Sequence, residues 1–279
     1  IGQHEIRLTK EGYQDYTETV TITKGERRQV KATMNAVQAL GNVSATHGNV
    51  PIGAIDGVFS VSASKKVYFS QGNLQYQAST KSWRFAEHQY DYIGDANRKI
   101  SSSYSGWIDL FGWGTSGYNH GAVCYQPWST STNYNDYYAY RQYTYNLYDQ
   151  TGRADWGYNA ISNGGNATHQ WRTLTQGEWD YVFNTRSTSS GIRYAKAQVA
   201  GVNGVILLPD DWNTSYYSLS SANTSGADYT SNVISSSDWA NSLQSHGAVF
   251  LPATAAMGLR STMRAPAAST GQACASIAT

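Results

Sequence analysis

The chain holds 279 residues, enough for one large domain or two smaller ones, and its net charge of +1 gives no electrostatic footprint for nucleic acid or an anionic membrane surface. Only 14% of residues are charged, while 22 Tyr and 9 Trp make the chain too aromatic for intrinsic disorder, so the composition suits a loop-rich, hydrogen-bonded globule. Two cysteines, Cys124 and Cys274, exclude a disulfide scaffold, and no apolar run reaches the length of a membrane span.

Residues 1–34 alternate clearly. His4, Ile6 and Leu8 form one face, Val20 and Ile22 another, with turns at "KEGY" and "TKGE" between and after them. Two or three short antiparallel strands are predicted. The chain starts at Ile1 without Met or a signal peptide, which reads as a fragment or a processed product. Residues 35–57 lack periodicity, carry Gly, Asn and Pro, and read as a linker. From Val58 a β-meander is predicted. Phe59 and Val61 alternate with Ser60 and Ser62, the strand composition of "KKVYFSQGNLQYQ" breaks at Gly72-Asn73, and Trp83 and Phe85 sit on a third strand.

Residues 88–170 are aromatic and mostly loop, a length that points to a functional or self-packed loop region. Tyr125 and the tyrosines at 134, 137, 138, 140, 143, 145 and 148 concentrate there. Next comes "WRTLTQGEWDYVFNTR" at 171–186. Thr175 is the expected N-cap and Glu178 stands three residues later, the capping-box spacing. Trp179, Val182 and Phe183 recur at helical spacing, Leu174 can staple onto Trp179, and Arg186 suits the negative C-terminal end of the helix. A hairpin is predicted around Asn203-Gly204, with Ile206 to Leu208 buried and stopped by Pro209. A second capped helix is predicted over 235–246, with Trp239 and Leu243 on one face and Gly247 at its C-cap, followed by a buried strand over 248–253. The expected class is α+β: a loop-rich domain with two main helices and small antiparallel sheets, preceded by a truncated all-β module.

Two resemblances follow from these segments. "GQHEIRLTKEGYQDY", "VTITKGE" and the alternating strand "RQVKATM" resemble the C-terminal half of a PEGA domain, a small β-module of bacterial surface proteins. The stretch that gives that family its name is missing, so residues 1–34 read as a partial module with unpaired strand edges. Over 58–253, "LFGWGTSGYN", "DWGYNAISNGG", "WRTLTQGEWDYVF", "LLPDDW" and "GAVFLPA" are similar to Bacteroidetes surface-protein domains of the formylglycine-generating-enzyme variety of the C-type lectin fold. Trp171, Arg172, Thr175, Glu178 and Trp179 match the segment that opens a helix in such domains. The division expected is residues 1–34, a linker 35–57, a lectin-like domain 58–256, and a tail 257–279 that is non-native or disordered. The tail lacks the Tyr-Trp-Ser-Ser segment typical of related domains, yet permitted codons for residues 269–273 encode that segment one frame over. A frameshift shortly after Ala253 is the corresponding expectation, with apolar surface exposed around Phe250 and Leu251.

The fold hosts an enzyme, receptors and diversified binders, so function must be argued from the site. The enzyme alternative needs a cysteine pair near the C-terminal core, and neither Cys124 nor Cys274 matches it. The six histidines, at 4, 47, 88, 120, 169 and 246, have no metal-ligand spacing. Asp91 and Asp95 offer oxygen to Ca²⁺ but lack a full loop pattern, so no cofactor and no metal site is expected. Trp107, Trp113, Tyr118, Trp128 and Trp156 stand in loops beside Asp109, Asn119 and Asp155. Aromatics stack on sugar faces or anchor protein interfaces, and amides and carboxylates take hydroxyls. Trp107 and Trp113 are read as core fillers. The candidate ligand-binding residues are Trp128, Tyr118, Asn119, Trp156, Asp155, Tyr137 and Tyr138. The expectation is a non-enzymatic, extracellular or cell-surface bacterial protein that binds a glycan or a protein. A diverged formylglycine-generating-type enzyme and a structural adhesin or fimbrial component are the alternatives.

Overall fold

The structure, a computed structural model, describes residues 2–8, 16–25, 27, 29–32, 50–137, 147 and 152–253. The chain divides into two compact units near residue 43. In the first, β1 (Gly2–Leu8) and β2 (Tyr16–Ile22) pair antiparallel, with His4 opposite Val20. A turn forms at Lys24 and Gly25, within the expected "TKGE", and Gly25 takes φ +86° there, which a residue without Cβ adopts at no steric cost. The "KEGY" turn lies outside the described residues. The third strand expected over "RQVKATM" does not form at the described residues 29–32.

In the second unit, residues 50–57 are not linker. Ile55 is buried, its N–H donates to the Phe69 carbonyl at 2.9 Å, and the Gln71 N–H donates to the Gly53 carbonyl at 2.7 Å. Gly57 packs so closely on the backbone of Gly247 that a Cβ would collide with it. The Gly content here serves close packing rather than chain freedom. The expected meander splits at Gly72–Asn73 into two sheets. One is β3 (Phe59–Ser60) with β4 (Lys66–Val67), and the other is β5 (Leu74–Gln77) between β6 (Ser82–Phe85) and β7 (Trp107–Ile108).

A four-stranded sheet carries the C-terminal part. Its strands β8 (Tyr194–Val199), β9 (Val202–Leu207), β10 (Val233–Ile234) and β11 (Val249–Pro252) lie in the order β10-β8-β9-β11. Only β10 joins parallel. Alternation along the strands divides the core in two. Ala195, Ala197, Ile206 and Phe250 pack with Trp212, Trp239 and Leu243, whereas Leu207 and Val249 pack with Phe59, Phe69, Leu174 and Val182. The hairpin turns at Ala200–Gly201, three residues before the expected Asn203-Gly204. Both turn residues have positive φ, +49° and +82°, the requirement of a type I′ turn. Gly204 lies within β9, where the Phe250 ring and Leu251 backbone leave no room for a Cβ.

Two capped helices flank this sheet in sequence. α1 (Gln176–Asp180) widens into a π-type turn, Tyr181–Thr185, and α2 (Ser236–Asp238) continues through Trp239–Leu243 and Gln244–His246. The capping box at α1 is complete: the Glu178 N–H donates to Thr175 Oγ1 at 3.3 Å, and the Thr175 N–H donates to the Glu178 carboxylate at 2.9 Å. Thr175→Ala is expected to cost about 1 kcal/mol in urea unfolding, and a change within error would contradict the cap. At α2, Ser235 Oγ accepts from the Asp238 N–H at 3.0 Å and Gly247 ends the helix with φ +83°.

Glu178 does more than cap. Arg172 grips its carboxylate with two hydrogen bonds of 2.6 Å, and Lys65 stands 3.6 Å away. Burial alone would raise this carboxyl, but the Arg172 guanidinium, the Thr175 N–H and Lys65 together outweigh burial and hold it below the ordinary 4.5. A carboxyl with a depressed folded-state pKa contributes stability that is complete above the unfolded value and is lost as pH falls. Wild-type stability should therefore decline below about pH 4.5, and Glu178→Gln should flatten that acid limb in urea titrations at several pH values.

The exposed apolar patch expected around Phe250 is absent, because Phe250 is fully buried against Trp239 at a ring separation of 5.7 Å. The buried Gln89 amide covers the outer backbone of β11, accepting from the Phe250 N–H at 2.6 Å and donating to the Ala248 carbonyl at 3.4 Å. Residues 254–279, and with them Cys274 and the frameshift expectation, lie outside the described residues. No helix among the described residues is long and apolar enough to cross a membrane.

Candidate functional site

The long loop region forms one wall of a cleft. The β5–β6 hairpin sets Tyr76 directly opposite Trp83, their ring centroids 4.6 Å apart. The Trp128 ring stacks along Tyr76 at 6.1 Å, inclined by 28°. Loop segments 116–118 and 126–128 meet this wall, held by the Gly117 N–H donating to the Tyr125 carbonyl at 2.8 Å and the Ser129 N–H to the Gln126 carbonyl at 2.8 Å. From the other side come Arg153, Tyr158 and Asn159. The Ser116 hydroxyl donates to the Arg153 carbonyl at 2.5 Å, and the Asn159 amide donates to the Ser116 carbonyl at 3.1 Å. The resulting cleft has a volume of about 560 Å³.

Its lining is aromatic and polar at once. Tyr118, Trp128 and Tyr158 present ring surface above the buried Tyr76 and Trp83, while Gln126, Asn159, Lys81 and Arg153 bring polar groups to the lining and the Ser116 hydroxyl is engaged by the backbone. The Arg153 guanidinium carbon lies 5.4 Å from the Tyr118 ring centre and 5.8 Å from that of Tyr158. Burial pushes the Tyr76 hydroxyl up to about 12, so it stays protonated at neutral pH. His169 packs edge-on against Tyr158 at 4.0 Å, and burial, with Arg153 nearby, lowers its pKa.

The residues named from sequence separate into distinct places. Tyr118 and Trp128 line the cleft together. Asn119, beside Tyr118, is exposed and turns its carboxamide oxygen to the Gly121 N–H at 3.0 Å, closing a local turn. Trp156 is buried, packing edge-on against Trp113 at 5.8 Å and donating to Thr115 Oγ1 at 3.3 Å. Asp155 is buried too, and accepts from the Gly157 N–H at 2.9 Å and from the Thr173 N–H and hydroxyl at 2.8 Å. Burial raises its pKa against those hydrogen bonds, and its carboxylate serves the backbone. Tyr137 is buried, with its hydroxyl accepting from the Ser131 N–H at 2.9 Å. Tyr138 lies outside the described residues.

Trp113 packs onto the core, as expected, and Trp107 lies in β7 under the Arg84 guanidinium at 3.9 Å. Asp109 is a buried carboxylate occupied by the Asn97 amide at 2.8 Å and the Ile93 N–H at 2.9 Å. Asp91 accepts from the His88 N–H and Asp95 pairs with Arg98, so the two carboxylates have separate partners. Among the described residues no group of three or more His, Cys, Asp or Glu is placed to hold a metal ion. Cys124 is buried, and burial first, then Asp136, push its thiol up, which disfavours the reactive thiolate.

Tyr76, Trp83, Lys81, Arg153 and Tyr158 are cleft residues that the sequence expectation does not include. One signal was available: in "LQYQASTKSWRF", a hairpin closing on "ASTK" makes Tyr76 and Trp83 a cross-strand pair. No curated protein and no solved structure matches the chain. PEGA domains are typically found in extracellular or periplasmic proteins. Residues 1–38 match the family model of the PEGA domain, a few residues beyond the 1–34 expected from the sequence.

Proposed function

We propose that this is a non-enzymatic binding protein of a bacterial cell surface or its secretions, and that its second unit holds a glycan in the cleft beside Trp128. The observation that carries the reading is the combination in one cleft of the half-buried rings of Tyr118, Trp128 and Tyr158 with the side-chain amides of Gln126 and Asn159. Ring faces stack on the C–H faces of sugars and flanking amides and hydroxyls take the hydroxyls, a division of labour that an apolar protein anchor does not need. The PEGA match at residues 1–38 supports an extracytoplasmic setting. The order of capped helix, hairpin, second capped helix and final strand supports a C-type-lectin-like fold of the formylglycine-generating-enzyme variety for residues 58–253.

The test is a glycan-array screen of the full chain followed by titration of the Trp128→Ala variant. Binding should weaken at least about tenfold, corresponding to roughly 1.4 kcal/mol of lost ring contact. The variant should keep the wild-type unfolding transition to within about 1–2 kcal/mol, since Trp128 is only half-buried. Absence of any saccharide binding, with protein partners captured through this cleft instead, would favour the protein-ligand alternative.

A further inference from the structure

We infer, building on the saccharide reading of this cleft, that its ligand is an oligosaccharide held at two sugar positions, one on Trp128 and one on Tyr118, rather than a single terminal sugar. The two side chains form separate platforms. Trp128 lays one face along the buried Tyr76, with 6.1 Å between ring centres and 28° between the planes. Tyr118 has the Arg153 guanidinium carbon 5.4 Å from its ring centre. Among the described residues no ring contact joins Trp128 to Tyr118. Both are half-buried cleft residues with one face committed to protein, so each has a second face to offer a ligand. Tyr158 is more crowded, with His169 edge-on at 4.0 Å and Arg153 at 5.8 Å, and it has less ring surface to give.

The cleft has space for more than one sugar. A hexose takes about the room of six waters, each about 30 Å³ in the liquid, so a volume of about 560 Å³ admits about two to three such rings. A single sugar would stack on one platform and leave the other to water, forgoing part of the contact the cleft supplies. The polar groups suit a chain lying across both. The Gln126 side-chain oxygen lies close to Gly117, the neighbour of Tyr118, which puts this amide between the two ring-bearing loops. That amide makes no hydrogen bond among the described residues, so it offers sugar hydroxyls both a donor and an acceptor. The Asn159 amide nitrogen donates to the Ser116 and Trp156 carbonyls, each at 3.1 Å, and its oxygen is left as an acceptor.

The experiment titrates the full chain with cello-, malto-, manno- and chito-oligosaccharide ladders, and with the enzymatically trimmed series of the best glycan from the array. Each ladder runs from the single sugar to about six residues. Affinity should rise at least about tenfold from the single sugar to the disaccharide or trisaccharide and level off beyond about three residues. Tyr118→Ala should remove that rise and leave the affinity for the single sugar, seated on Trp128, unchanged. Tyr118→Phe, which keeps the ring, should retain the rise. The ladder on the wild-type chain tests the inference independently of how either variant folds. Equal affinity along the ladder, a rise that continues undiminished to the longest member, or a rise that Tyr118→Ala leaves in place would overturn the two-position inference and leave the saccharide reading standing. No binding to any saccharide, or binding indifferent to Trp128→Ala, would overturn that reading itself.

Discussion

Replacing Asp210 with alanine is expected to destabilise the second unit by about 3–5 kcal/mol, as read by urea unfolding followed through tryptophan fluorescence. Asp210 follows Pro209, just after β9, and gathers several partners. Its carboxylate accepts from the Ser60 N–H at 3.0 Å and the Ser60 hydroxyl at 2.6 Å, and from Arg186 Nη1 at 3.2 Å, with Lys66 at 3.7 Å. Arg186 is the reason the loss is large. Its side chain is fully buried, and burial lowers its pKa to about 10 against the raising effect of Asp210. Removing the carboxylate leaves a cation in the core with only the Val182 and Arg193 carbonyls, at 2.9 and 2.8 Å. The cost is that of an unpaired buried charge, not the net worth of the ion pair. The double replacement Arg186→Met with Asp210→Leu should recover much of it. A loss below about 1 kcal/mol for Asp210→Ala would show that water or a rearranged side chain satisfies Arg186.

Trp171→Ala should also cost about 3–5 kcal/mol, the range for deleting a large buried aromatic. Trp171 is 1% exposed, meets Phe85 edge-on at 4.7 Å, and donates its indole N–H to the Gly164 carbonyl at 2.7 Å. The backbone of Trp171 lies against Gly157, where an added Cβ would strike it. Because Gly157 adjoins the cleft residues Tyr158 and Asn159, the substitution should loosen the cleft wall as well as the core. Trp171→Phe should keep most of the packing but lose the indole bond, for a loss of about 1–3 kcal/mol. If Trp171→Ala unfolds no earlier than wild type in denaturant, the packing described for the 171–186 segment is wrong.

The parts of the fold legible in the sequence are those fixed by local chemistry. Thr175 and Glu178, Ser235 with Gly247, and the apolar run ended by Pro209 each carry their own instruction within a few residues, and each forms as expected. Where the outcome depends on a distant partner, the sequence is silent. The pairing of Arg172 with Glu178 looks like a helix-entry motif until the two-pronged 2.6 Å contact appears. Arg186 reads as a cation suited to the negative end of the helix, yet in the structure it is buried and pairs with Asp210, 24 residues later. The hairpin turn falls three residues before the expected Asn203-Gly204 because Ala200 adopts positive φ, which Asn advertises and Ala does not. The same limit applies to the candidate site. Aromatic density singles out Tyr118 and Trp128, but it cannot separate them from Trp156 and Tyr137, which are equally aromatic and buried. Asp155 and Asp109 resemble ligand carboxylates in sequence, whereas their oxygens are consumed by backbone N–H groups and an amide. Lys81 and Arg153 come from segments more than 70 residues apart, and only the folded hairpin and loop bring them to one cleft.

The proposed seat of saccharide binding is the Trp128 face of this cleft. A crystal structure of the chain with the tightest-binding array glycan tests it most directly. A sugar ring is expected against the Trp128 indole, with its polar groups within hydrogen-bond reach of the cleft's side chains. A glycan seated elsewhere on the protein, with the space between Trp128, Tyr118 and Tyr158 left to solvent, would contradict it.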